Sequence, residues 1–152
     1  MKISKKTDYA LRAIFTLVER RGEDPISIRE IAETNRIPKR FLEQILLQMK
    51  AQGWVDSVPG KSGGYFLSGS PDKITMGQIV RHFDGILAPI SCVSISGYEE
   101  CSQEMVCRFR RVLLVVRNAV ASMMDKATLA SVMAGSIVTR KEVMNVGFVG
   151  GE

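Results

Sequence analysis

All three cysteines of this 152-residue chain, Cys92, Cys101 and Cys107, fall within one short stretch, and none occurs elsewhere. An odd number of thiols cannot close a disulfide framework. Thiolates are soft donors suited to iron–sulfur clusters, zinc or copper(I). The basic run Arg108, Arg110 and Arg111 follows directly, so positive charge stands beside the sulfurs. Three protein ligands leave one coordination position open or filled from elsewhere, and an open position is where a sensor reacts. Free cysteine is also among the most buried residue types, but core packing requires no clustering. The stretch therefore reads as a metal or redox site. An enzyme is not expected, because the single histidine, His82, adjoins no cysteine and no nucleophile motif is present.

The elements that must position these thiols begin with charge. The chain carries a formal net charge of +5. Residues 1–67 hold 12 basic and 8 acidic side chains, whereas residues 68–152 hold 9 and 8. A basic N-terminal half points to a polyanionic partner such as nucleic acid. No apolar run approaches the ~18 residues of a membrane span. The basic start Met1–Lys6 is not followed by a signal-type apolar segment, so a cytoplasmic location is expected.

Ala10, Leu11, Ile14, Phe15, Leu17 and Val18 recur at helical spacing, which predicts a helix from Lys5 to Arg20 or Arg21. Ser4 caps it, and Asp8 complements the helix dipole in its opening turns. Ser27 and Glu30 form a capping-box pattern for a short helix ending near Asn35. Pro38 opens another, with Phe41, Leu42, Ile45, Leu46 and Met49 as its buried stripe and Gly53 as its stop. Two helices joined by the brief turn 35–37 read as a helix-turn-helix. The outward side of the second carries Lys39, Arg40, Glu43, Gln44, Gln48 and Lys50, which suit phosphates and base edges. Trp54–Val58 and Tyr65–Leu67 then alternate like strands around Pro59–Gly64, a glycine-rich tip that carries Lys61. A helix-turn-helix followed by such a hairpin is a winged helix. Glycines at the tip, Gly63 among them, serve either close backbone approach to DNA or plain turn geometry.

A further helix opens at Thr75 and Gln78, with Met76, Ile79, Val80 and Phe83 inward and His82 near its end, where it would meet terminal carbonyls or solvent. Past the cysteines, Val106, Phe109, Leu113, Val116, Val120, Met123 and Ala127 alternate steps of three and four. That is the seam of a coiled-coil-like contact along a helix from Gln103 to Lys126. The expected fold is mainly α with a small β-hairpin, a winged helix-turn-helix domain plus a long dimerisation helix. Its parts are residues 1–84 for DNA binding, 85–102 for the cysteine loop, 103–135 for the dimerisation helix and a short successor, and 136–152 for a loose tail.

Lys2–Arg12, Ile31-Ala32, Phe41–Gln44, Gly63–Leu67 and the lead Pro71–Thr75 together resemble the bacterial winged-helix regulators typified by IscR and NsrR. The resemblance covers residues 1 to about 130. It implies a homodimeric regulator of double-stranded DNA operators that holds an iron–sulfur cluster, of 2Fe–2S or 4Fe–4S type, through Cys92, Cys101 and Cys107. It matches the DNA-reading helix to Pro38–Gln52, with Arg40, Glu43 and Gln44 at base-contact positions, and the wing to Pro59–Gly64. Together with the exposed faces read above, the expected DNA contacts are Ser27, Lys39, Arg40, Glu43, Gln44, Lys50, Lys61 and Gly63. Two departures stand out. The gap from Cys92 to Cys101 is three residues longer than the usual spacing, and Arg110 stands where IscR-like proteins place a histidine. Arginine stays protonated and cannot ligate. NsrR-like members use an acidic residue near the partner's N-terminus, and Asp8 matches that place as the implied fourth ligand. Two other readings remain open: a cluster-free thiol sensor, and a structural zinc site of three cysteines with one oxygen or water.

Overall fold

The computed structural model describes residues 1–145. Helix α1 spans Lys5–Glu19. Its first turn is held twice, by the Ser4 hydroxyl, which accepts from the Thr7 N–H at 3.1 Å, and by a carboxylate from far along the chain, Asp84. Asp84 accepts from the Thr7 hydroxyl at 2.7 Å and from the Ser4 N–H at 3.1 Å. Helix α2 spans Ile28–Asn35. Ser27 caps it from the Glu30 N–H at 3.2 Å, but the expected reciprocal bond is absent. The Glu30 carboxylate instead takes the Arg20 guanidinium at 3.1 Å, so that half of the box is spent pinning α1.

Arg36 turns the chain in a left-handed conformation, and Ile37 buries behind it. Helix α3, Lys39–Ala51, starts on Pro38, whose carbonyl accepts from Phe41 and Leu42 at 2.9 and 3.1 Å. Leu42, Ile45, Leu46 and Met49 are fully buried, as their spacing predicts. Phe41 is not: it is 57% exposed, because it lies on the flank of the helix beside α1.

Strands β1, Val55–Val58, and β2, Gly64–Leu67, pair antiparallel with Val55 opposite Leu67 and Val58 opposite Gly64. Ile26 adds a one-residue bridge to Tyr65, with hydrogen bonds of 2.9 and 2.7 Å. This closeness explains Gly64, since a Cβ there would collide with the backbone of Ile26. One at Gly63 would strike the Val58 carbonyl, so the turn demands Gly63 and the bridge to Ile26 demands Gly64.

Helix α4, Met76–Asp84, carries a complete capping box between Thr75 and Gln78. Ile79 joins the main core as α4 packs on α1, and Val80 beside it is buried too. His82 is half-buried and makes no hydrogen bond to the terminal carbonyls, one of the two roles expected for it. Its ring sits edge-on to Trp54 at 5.4 Å and Phe83 at 4.8 Å, and its Nε2 is buried without a partner.

A 3-10 turn, Ser91–Val93, leads into the cysteine loop, and helix α5 follows as Arg110–Lys126. The helix begins seven residues later than its apolar spacing suggests. The stretch before it is held in turns, with the Glu104 N–H on the Cys101 carbonyl at 3.0 Å and the Val106 N–H on that of Gln103 at 3.1 Å. Cys107 therefore lies ahead of the helix. Helix α6, Leu129–Ala134, returns to the main core through Leu129, which is fully buried. A last helix α7, Arg140–Asn145, occupies part of the segment expected as a loose tail. Residues 136–139 ahead of it are irregular and exposed, and residues 146–152 lie outside the described residues.

No residue of α5 is buried. The predicted seam divides: Leu113, Val120 and Ala127 are half-buried, whereas Phe109, Val116 and Met123 are exposed. The apolar stripe left open runs Phe109, Val112, Val116, Ala119 and Met123, still in steps of three and four but rotated from the expected phase. Among the described residues, no helix is long and apolar enough to cross a membrane.

Candidate functional site

The outward face of α3 presents Lys39, Arg40, Glu43 and Gln44, all exposed. The buried positions of the helix repeat every three to four residues, which forces these four to the opposite side. Beyond the helix, Lys61 is exposed at the hairpin tip and Gly63 is half-buried just after it.

Two of the expected contact residues already serve internal contacts. Lys50 turns to the hairpin, where its ammonium meets the Asp56 carboxylate at 3.0 Å and the Ser57 hydroxyl at 2.8 Å. The Lys50 ammonium and the Ser57 N–H together hold the Asp56 carboxyl below its ordinary range. Lys50 thus ties α3 to β1. The Ser27 hydroxyl caps α2.

A pair of aromatic residues lies beside this face, and apolar spacing gave no hint of its exposure. The rings of Tyr9 and Phe41 meet edge to face at 6.4 Å, joining α1 to the first turn of α3. Lys5 and Arg12 flank the Tyr9 ring at 5.6 and 6.0 Å.

The cysteines gather at the start of α5. Cys92 is buried among Ala88, Val93, Leu113 and Leu114, whereas Cys107 is half-buried and Cys101 exposed. All three are free thiols and line one cavity of about 400 Å³. Glu104 and Arg110 line it too. A second cavity of about 390 Å³ shares Cys92, Cys107, Glu104 and Arg110 and adds Arg111 and Arg117.

Glu104 and Arg110 brace this loop. The carboxylate accepts from the Tyr98 hydroxyl at 2.9 Å and from the Cys101 N–H at 3.4 Å, and it pairs with Arg110 at 3.2 Å. By accepting this hydrogen bond, Glu104 favours the protonated phenol and raises Tyr98 above its ordinary range. Arg110 also donates to the Cys92 carbonyl at 2.7 Å. The residue that replaces a possible histidine ligand therefore links the backbone at Cys92 to the carboxylate beside Cys101. Spacing alone revealed the thiols and missed this brace.

The donor set fits an iron–sulfur cluster in kind, since three soft thiols line one cavity with a basic side chain on its wall. Their present placement is open: among the described residues, no three Cys, His, Asp or Glu side chains stand together as a metal site. Asp8 lines neither cysteine cavity of its own chain. It pairs with Arg12 at 2.9 Å and reaches Lys5 at 4.0 Å within α1.

Comparison with known proteins places this arrangement among transcription factors. The family model Rrf2, described as iron-dependent transcriptional regulator, matches residues 3–135. A putative HTH-type, rrf2-like transcriptional regulator of Rhodobacter capsulatus is 39% identical over 138 residues, covering 87% of this chain and 92% of that protein. The structure of CymR, the global cysteine regulator of Bacillus subtilis, superposes with a TM-score of 0.76 at 32% identity. It covers 90% of this chain and 99% of its own. The IscR of T. potens superposes with a TM-score of 0.68 at 27% identity, covering 93% and 96%.

Proposed function

The chain belongs to the Rrf2 family of DNA-binding transcriptional regulators, and from that membership we propose that it is a homodimer whose operator affinity is set by an iron–sulfur cluster. The cluster is held by Cys92, Cys101 and Cys107, and the observation that carries this reading is their common cavity at the start of α5. When bound, the cluster supplies a centre that responds to iron–sulfur status, redox state or nitric oxide. The fourth ligand is Asp8 of the partner subunit. In that role it leaves its pairing with Arg12 and links one subunit's α1 to the other's cysteine loop.

The chain's own residues carry the signal onward. The cysteine loop leads directly into α5, whose far end is fastened to α4 by Arg81 and Asp125 at 2.8 Å. The next residues are stitched to the core by Met76 N–H on Ala127 carbonyl at 2.8 Å and Leu129 N–H on Ile74 carbonyl at 2.9 Å. A shift of the loop is thereby delivered to the domain that holds α3. In a two-fold dimer the paired reading helices serve half-sites ~34 Å apart, so a change in their spacing lowers specific affinity more than phosphate attraction. Lys39, Arg40, Glu43 and Gln44 read the groove, while Lys61, with the Gly63 backbone, meets phosphate from the wing.

Cluster-free thiol sensing is the second reading. It is favoured by the open placement of the thiols and by the resemblance to a cysteine regulator. Anaerobic purification followed by iron, sulfide and zinc assays separates the two. Matching iron and sulfide, together with operator affinity that changes when the cluster is removed, supports the first reading. Zinc alone points to a structural site. A metal-free protein that resists reconstitution while its affinity responds to thiol oxidants gives the second.

A further inference from the structure

We propose that Phe41, braced by Tyr9, is an apolar base-reading site that packs against the 5-methyl group of a thymine. The inference rests on the reading of α3 as the helix that enters the major groove.

Phe41 follows Arg40 and precedes Gln44 by three residues, in the first turn of α3. Recognition helices of this kind contact base edges with their N-terminal residues. A ring 57% exposed at that point is not needed by the core, whose α3 contribution is complete in Leu42, Ile45, Leu46 and Met49. Single exposed apolar residues are common on protein surfaces and require no explanation by themselves.

Three features set this one apart. The ring is fixed in place by its edge-to-face contact with Tyr9 at 6.4 Å, so little side-chain freedom is lost on binding. Its backbone is set by Pro38, whose carbonyl takes the Phe41 N–H at 2.9 Å. Cations rim the pair, with Lys5 and Arg12 against Tyr9 and Arg40 adjacent in sequence. A rigid apolar surface inside a cationic border matches one feature of the major groove. The thymine methyl is the sole apolar group that a base pair displays there, and phosphates lie on either side.

The test uses the full-length protein. It first selects its preferred duplex from a randomised library, and each thymine of that duplex is then replaced by uracil, which removes only the methyl group. Affinities of the wild type, Phe41→Ala and Phe41→Leu are compared at one fixed salt concentration. For the wild type, at least one uracil position in each half-site weakens binding roughly three- to fivefold, the scale of one buried methyl. The same replacement is neutral for Phe41→Ala and intermediate for Phe41→Leu. Sedimentation and thermal melting of both variants match the wild type.

A uracil scan that is neutral in the wild type overturns the proposal, as does one whose losses persist in Phe41→Ala. A Phe41→Ala variant that changes oligomeric state also overturns it, since the ring would then serve a protein contact. A library that yields no preferred duplex removes the reading of α3 itself, a failure distinct from the others.

Discussion

Asp84 shows how one side chain joins distant parts of the sequence. Burial pushes its carboxyl up, but the hydrogen bonds from the Ser4 and Thr7 side chains and the Ser4 N–H outweigh that, and it lies below the ordinary carboxylate range. A depressed carboxylate stabilises the fold above its unfolded pKa, and that contribution is lost as pH falls through the folded value. Asp84→Asn should therefore cost about 1–2 kcal/mol at neutral pH. The gap to the wild type should shrink as pH drops below ~4. Urea unfolding of both proteins between neutral pH and pH 3 measures it, and a gap independent of pH would remove the charge from the account. Ser4 was legible as a cap from its type and place. Asp84, about eighty residues on, was not, because a carboxylate at a helix end looks solvent-facing in any window of sequence. The Glu30 half of the capping box was misread for the same reason: its carboxylate had a nearer partner in Arg20, as Lys50 has one in Asp56.

The helices and the hairpin were largely readable, because caps and stops sit at their ends and the apolar period is unbroken between them. The start of α5 was not, since Val106 and Phe109 continue the apolar period while Glu104 folds back on Cys101 and interrupts the helix. Two glycines test the packing between elements. A Cβ on Gly64 would collide with backbone atoms of Ile26, which cannot move aside as a flexible side-chain end could, so Gly64→Ala should destabilise by about 2–3 kcal/mol. Thermal melting checks it, and Lys61→Ala at the same hairpin serves as contrast. That exposed lysine should leave the melting temperature unchanged, weaken all DNA sequences alike and lower the salt slope by about 1. At Gly77 a Cβ would instead strike the Asp125 carboxylate, the end of a flexible side chain. Gly77→Ala should push that group off Arg81 and mimic Asp125→Asn. Each should cost no more than about 1 kcal/mol, since the pair is partly exposed. The double variant should cost little more than either single one, and additive costs in chemical denaturation would separate the two sites.

At the scale of the whole molecule, the sequence implied a dimer through α5, and the structure alters which face would make it. A 17-residue helix is about 25 Å long and leaves all of its residues at least partly open, with its least exposed side turned to its own domain. Leu113 and Val120, expected at the dimer seam, are drawn to that inner side, because α5 packs on α4 and hands the chain back to the core at Leu129. The stripe left for a second copy is Phe109, Val112, Val116, Ala119 and Met123. Such an exposed run is costly in water and suited to an identical helix across a two-fold axis, where each residue meets its own stripe. A charge in its centre is the sharpest probe. Val116→Glu should convert the dimer to monomer at micromolar concentration in sedimentation, with unfolding of the monomer core little changed, since residue 116 is 42% exposed in the single chain. Because two reading helices must engage together, specific operator affinity should fall by at least a hundredfold, while salt-sensitive non-specific binding falls far less. Val120→Glu should differ in kind. It faces the protein's own domain, so it should lower the melting temperature first and loosen the dimer only through that damage. If Val120→Glu instead dissociated the dimer as Val116→Glu does, with no loss of melting temperature, the dimer would run along the phase read from sequence, which holds both residues, and α5 would have to rotate on its own domain to form it.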